Sequence, residues 1–376
     1  MKNKIERIHS LDSLRAIMML LGLVLHSTET YLIGTNAPWP KDTNATSISL
    51  NYLENIIHMF RMPVFFLVAG FFGALLFYER GKVRMLKNRA SRILLPFIVF
   101  LLILYPIVVF SLEYSTALFE GQSNAFAETL KNFNQFIPEW TLHLWFLYYL
   151  VIISGLTVLI ALVLNKVSRL KHFIASIFNI IFQKSIGKIF IFALIIFILL
   201  LLIWDLGPPV PLGFIPDINA LIFYLFFYGV GWVLFKLKHQ LNNFKRNDWA
   251  YVSIAIVIFT IQFVYSDVIG DVEQGLMSAL IMSLFLFGII GLFIRYFNSN
   301  SKRMRYASDA SYWIYLIHIP FTIIIPGLIA GWILPAIVKF LITLIISTVI
   351  CFLTYHYLVR STFIGKFLNG RKYSIH

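Results

Sequence analysis

A single cysteine among 376 residues excludes any intramolecular disulfide. Cys351 stands inside a long apolar run, where a thiol is read as a packing group rather than a nucleophile. Charge is also scarce: only 13% of residues are Asp, Glu, Lys or Arg, and mean hydropathy is +0.82. Soluble domains draw about 25% of their residues from those four types, so a water-soluble globular fold is excluded. No polar stretch exceeds about 28 residues, too short for a separate soluble domain, and there is no solenoid period, low-complexity tract or inverted repeat. The first apolar run is too long for a signal-peptide core and shows no small-residue cleavage site, so it is expected to be retained as a helix. Net charge is +14, but the basic residues sit in short loops between apolar runs, a topology signal, and no nucleic-acid partner is expected.

What the chain has in excess is apolar and aromatic side chains, 59% and 17%, with 37 Phe. Windows of about 20 apolar residues, enough to cross roughly 30 Å of hydrocarbon, fall at approximately 14–33, 57–78, 93–112, 142–164, 189–204, 218–235, 249–265, 275–294, 311–330 and 333–357. The expected fold is therefore an all-α, polytopic membrane bundle of about ten transmembrane helices, one domain over 1–376 with its helices between about 9 and 360. The span at 189 is the shortest, and only the Gly331-Trp332 region parts the last two, which leaves nine or eleven crossings open. Loop charge supplies an independent test. Segments 79–92, 165–188, 236–248, 295–309 and 358–376 hold most of the 31 basic residues. Between them, 113–140 carries Glu113, Glu120, Glu128 and Glu139, and 266–274 carries Asp267, Asp271 and Glu273. This alternation predicts both termini in the cytoplasm.

Polar side chains inside apolar runs are costly unless paired or facing a cavity, so each is a functional candidate. In "LDSLRAIMMLLGLVLHSTETY", Asp12 is placed to cap the first helix. Arg15 and His26 return to within about 20° of one another around it, about 16 Å apart along the axis. Such a face suits a long ligand with an anionic head at the cytoplasmic rim and a reactive end beside an imidazole, as in acyl-coenzyme A. It equally suits an anchoring Arg15 paired with Asp12 and a structural His26. His58 and Arg61 stand at i, i+3 near the outer end of the second span, as an acceptor site or as interfacial groups. Gly70 and Gly73 permit close helix approach. Arg89 and Arg92 precede the third span, as a phosphate clamp or as ordinary anchors. His143 lies level with His58, and His318 is about seven residues into the ninth span. The proline-rich "DLGPPVPLGFIPD" either roofs a cleft or simply connects two helices.

Taken in order, Arg15 and His26 in the first span, Arg89-x-x-Arg92 before the third, and "SYWIYLIH" ending at His318 resemble the membrane-bound acyltransferase 3 family. "LDSLRAIMMLLGLVLH", "HMFRMPVFFLVAGFFG" and "HLWFL" are most similar to its branch that succinylates periplasmic glucans. The likeness runs from about residue 9 to 360. It implies an O-acyltransferase of a bacterial inner membrane that moves an acyl group, succinyl or acetyl, from cytoplasmic acyl-coenzyme A to a hydroxyl of a carbohydrate or glucan outside, with no metal expected. It further implies that Arg15, Arg89 and Arg92 hold the donor's phosphates and that His26 acts as general base or transient acyl carrier. His58 and Arg61 would position the acceptor or stabilise an oxyanion, with His318 as a further catalytic candidate and His143 in substrate binding. The competing expectation from the residues alone is a transporter of an anionic or amphipathic solute.

Overall fold

A computed structural model describes residues 8–34, 38–203, 206–299 and 301–370. The chain ends, expected in the cytoplasm, lie outside the described residues. Those residues form fourteen α-helices and no strand. The helices are α1 His9–Thr28, α2 Ile48–Arg80, α3 Lys82–Arg89, α4 Leu95–Phe119, α5 Ala125–Asn132, α6 Trp145–Lys166 and α7 Ser168–Gln183. They continue with α8 Gly187–Ile203, α9 Ile218–Lys236, α10 Asp248–Val264, α11 Asp271–Tyr296, α12 Lys302–Leu328, α13 Ala336–Thr354 and α14 Phe363–Asn369. Each of the ten apolar windows contains a helix. Eight spans are long and apolar enough to cross a membrane, or nine if α10 is joined to the helical turns over Lys238–Arg246, from which it bends by 64°. Helix α8 has 17 residues, about 26 Å at 1.5 Å per residue, and is shorter than the usual hydrocarbon thickness.

Several boundaries differ from the expectation. Helix α1 begins at His9, so Asp12 is not its cap but an acid within the first turn, where the helix dipole favours it. Helix α12 begins at Lys302, well before the predicted 311, and runs through Pro320 and Pro326. The basic segment 165–188 is not a plain loop. Its helix α7 exposes Leu170, Phe173, Ile177 and Ile180 and buries Phe182, an amphipathic pattern suited to a membrane surface.

Glycine sets the closest crossing. A Cβ on Gly70 would collide with the carbonyl of Tyr228, and one on Gly231 with the carbonyl of Leu67, so α2 and α9 pack backbone against backbone. Helix α1 lies between α2 and α12, and α4 packs on the other side of α12. This arrangement puts the late part of α1, the early part of α2 and the middle of α12 around one space at the acidic-loop end of the bundle.

Candidate active site

That space is a cavity of about 270 Å³, lined among others by His26, Glu29, Trp39, Glu54, His58, Arg61, His143, Tyr315 and His318. All five sequence candidates expected deep or toward the outer face, His26, His58, Arg61, His143 and His318, therefore meet. Neighbouring imidazoles lie in a row, with ring centroids 5.3 Å apart for His26 and His318 and 5.1 Å for His143 and His318.

The backbone around the site orients the rings. Pro320 has no N–H for the carbonyl of Leu316, four residues earlier in α12. His143 Nε2 takes up that carbonyl at 3.1 Å and the carbonyl of Tyr315 at 3.0 Å. Both partners are acceptors, so Nε2 carries the proton and Nδ1 is left bare. Tyr315 returns a hydrogen bond from its hydroxyl to the His143 carbonyl at 2.7 Å. The turn that presents His143 is itself strained, because Leu142 has φ of 55°, a left-handed conformation costly for leucine. His318 shows the opposite tautomer. Its Nδ1 donates to the carbonyls of Tyr315 at 2.8 Å and Ile314 at 3.1 Å, leaving Nε2 unprotonated, buried and without a partner among the described residues.

Arg61 brings the positive charge. Its guanidinium packs where Gly22 lacks a side chain: a Cβ there would lie 2.5 Å from Arg61 Nη1 and 3.9 Å from His318 Nε2. Glu29 and Glu54 face the same cavity and offset that charge. Glu29 Oε1 is 3.8 Å from His26 Nδ1, an ion-pair distance that needs to shorten before it becomes a hydrogen bond. The remaining ring nitrogen of His26 is then the one available to a substrate. Trp39 stacks on His26 at 5.9 Å, and His58 Nε2 donates to the Pro208 carbonyl at 3.0 Å. Val210 and Leu212 line the cavity, so the proline-rich loop does roof it.

The loop carrying Trp39 is fastened on its far side. Asp42 and Lys339 form a buried ion pair at 2.6 Å, and Lys339 also reaches the Ala330 carbonyl. Lys41, in the same loop, donates to the Glu29 carbonyl at 2.6 Å. Burial lowers the Lys41 pKa, while Glu29 and Glu54 pull it back up. A second cavity of about 710 Å³ shares Pro38, Trp39, Leu112 and Trp140 with the first and is rimmed by Glu113, Glu120, Glu128 and Glu139.

The three arginines expected at the opposite end do not line the cavity. Arg15 is 37% exposed, pairs with Asp12 at 3.5 Å and lies over the Phe72 ring. Arg89 and Arg92 diverge because a wide π-type turn over Ala90–Leu94 interrupts the helix between them. Arg89 turns into the bundle toward the Ala69 carbonyl at 3.3 Å, and its buried Nε has no partner. Arg92 binds the carbonyls of Lys366 and Phe367 at 2.7 and 2.5 Å, closing the end of α14. The sequence reading missed Glu29 and Glu54, although spacings of three and four from His26 and His58 on their helices were visible signals. Trp39 had no such signal. Among the described residues, no three His, Cys, Asp or Glu side chains are grouped to hold a metal.

A multi-helix membrane bundle with a buried cluster of imidazoles and a guanidinium defines an enzyme-like interior, and comparison with known proteins supplies its class. The chain belongs to the acyltransferase 3 family, whose acyltransferase domain matches residues 8–356. It is thus a multi-pass integral membrane O-acyltransferase. It is 27% identical to glucans biosynthesis protein C of Salmonella schwarzengrund (strain CVM19633) over 97% of this chain and 95% of that protein. Glucans biosynthesis protein C of Escherichia coli O81 (strain ED1a) and of Escherichia coli (strain K12) are each 26% identical over 87% of this chain and 86% of theirs. No solved structure matches.

Proposed function

We propose that this enzyme transfers an acyl group, succinyl or acetyl, from cytoplasmic acyl-coenzyme A to a hydroxyl of a carbohydrate, with a glucan as the acceptor class, outside a bacterial inner membrane. The observation that carries this reading is the meeting of His26, Arg61 and His318 in a cavity that shares Pro38, Trp39, Leu112 and Trp140 with a wider vestibule. Trp39 and Trp140 in that vestibule offer flat faces to sugar rings, and its glutamates, Asn132 and Gln135 offer hydrogen bonds to hydroxyls. The bacterial relatives named for glucan synthesis support the acceptor class and the membrane.

In this mechanism the thioester carbonyl lies against Arg61, and His26 takes the proton of the acceptor hydroxyl as its oxygen attacks the carbonyl carbon. Glu29 holds the imidazole with its proton on Nδ1 and stabilises the imidazolium that forms. Arg61 stabilises the tetrahedral oxyanion. The carbon–sulfur bond then breaks, and the thiolate leaves with the proton that His26 carries. His318 Nε2, bare and adjacent, is the alternative base. The donor's phosphates lie at the basic-loop end, where Arg89 keeps an unpaired Nε and Arg15 is partly exposed. Arg92 has a prior engagement with α14, so its share in phosphate binding is smaller than a symmetric clamp would give.

The test is reaction of the purified full chain with succinyl- or acetyl-coenzyme A and a linear glucan, following thiol release and glucan mass. Wild type should release thiol and add the mass of the acyl group to the glucan. His26→Ala at equal membrane abundance should lose about 10²- to 10⁴-fold in rate, as expected for removal of a general base. Near-wild-type transfer by that variant would move the base to His318, and absence of acyl transfer from either donor to glucan would overturn the donor and acceptor assignment.

A further inference from the structure

A second site stands at the other end of the molecule. The turns over Lys238–Arg246, the start of α8 and the end of α11 enclose a cavity of about 530 Å³ lined by Lys188, Lys245, Arg246 and Arg295 together with Ser185 and Asn243. Arg295 is accounted for, since Nε and Nη2 grip the carboxylate of the buried Asp248 at 2.7 and 2.9 Å. The other three cations have no carboxylate partner among the described residues.

Lys188 is the anomaly. It is only 1% exposed, yet its ammonium has neither a hydrogen-bond acceptor nor an ion-pair partner among the described residues. It is surrounded by the rings of Phe244, Phe287 and Tyr251, at 4.8, 5.2 and 5.7 Å. Aromatic faces attract a cation but do not neutralise it, and a buried charge without a counter-ion is strongly disfavoured. Its position adds to the cost, because Lys188 is in the first turn of α8, where the helix dipole is already positive. Gly291 allows α11 to close on Phe244, which completes the wall around it.

We propose that this cavity binds a phosphate-bearing anion, with Lys188 at its floor and Lys245 and Arg246 at its mouth. It is separate from the histidine cavity and independent of the acyl-transfer reading. The phosphate belongs either to a soluble ligand or to the headgroup of an anionic lipid, which the exposed apolar face of the neighbouring α7 would admit from the bilayer.

The test measures thermal unfolding of the full chain in phosphatidylcholine nanodiscs, with inorganic pyrophosphate added or with phosphatidylglycerol included in the bilayer. Stabilisation by pyrophosphate identifies a soluble phosphate ligand, and stabilisation by phosphatidylglycerol alone identifies a lipid headgroup. In either case Lys188→Met and Lys245→Gln/Arg246→Gln should each weaken the apparent affinity at least tenfold. Lys188→Met should also raise the melting temperature without any anion, because it removes the unpaired buried charge. A diffuse attraction of the basic surface would survive Lys188→Met, which changes no exposed charge. Wild-type affinity in that variant, or no stabilisation of wild type by either probe, overturns the proposal.

Discussion

His143 donates to the carbonyl of Leu316 at 3.1 Å, a carbonyl that the helix leaves free because Pro320 cannot donate to it. A proline four residues away thus orients an imidazole on the turn that precedes α6. Pro320→Ala restores the competing N–H. It should leave unfolding temperature unchanged or raised while lowering acyl-transfer rate by about 10- to 100-fold, the range for small misplacements of catalytic groups. Paired rate and unfolding measurements check this, and an unaltered rate would show that the His143 orientation is unimportant.

Glu29→Gln keeps the shape of the side chain but removes the charge facing His26 Nδ1. The expected outcome is a loss of rate on the order of 10- to 100-fold, smaller than for His26→Ala, at unchanged membrane abundance. A rate equal to wild type would detach Glu29 from the mechanism.

Two glycine substitutions should separate function from packing. At Gly22 a methyl group meets the flexible end of Arg61, so Gly22→Ala should fold normally and turn over at least about tenfold more slowly. At Gly231 the methyl meets the backbone of Leu67, so Gly231→Ala should lose about 1–3 kcal/mol of stability by overpacking. Unfolding curves and activity per molecule, taken on both variants, distinguish the two patterns.

Asp42 and Lys339 are each only about 2% exposed in their side chains. Removing one partner strands the other charge, so Asp42→Asn or Lys339→Met alone should cost about 3–5 kcal/mol. The double variant Asp42→Leu/Lys339→Met should recover most of that loss. Failure of the double variant to recover would mean that the loop needs the pair's geometry and not only its neutrality.

Orientation in the bilayer is testable without activity. Reporter fusions after residues 85, 240 and 300 should report the cytoplasm, and fusions near 125 and 270 the outside. A cytoplasmic signal at 125 would overturn the helix count.

The sequence by itself determined that this protein is a helical membrane bundle, where its ten apolar segments lie, and which polar side chains deserve attention within them. Those properties are local: span length, loop charge and helical spacing can be read without knowing any neighbour. Even the choice of His26, His58, Arg61, His143 and His318 rested on the local cost of polarity in lipid. Tertiary structure alone decided that these five share one cavity, that Pro320 and Tyr315 orient His143, and that Trp39 closes over His26. It also decided that Arg89 and Arg92 part company, because a π-type turn shifts the helix phase between them, and that Lys188 is buried among aromatic rings contributed by the turns over Lys238–Arg246, α10 and α11. Each of these depends on which helices touch, and that is set by glycines such as Gly22, Gly231 and Gly291 at the few places where two segments can approach closely enough to share a site.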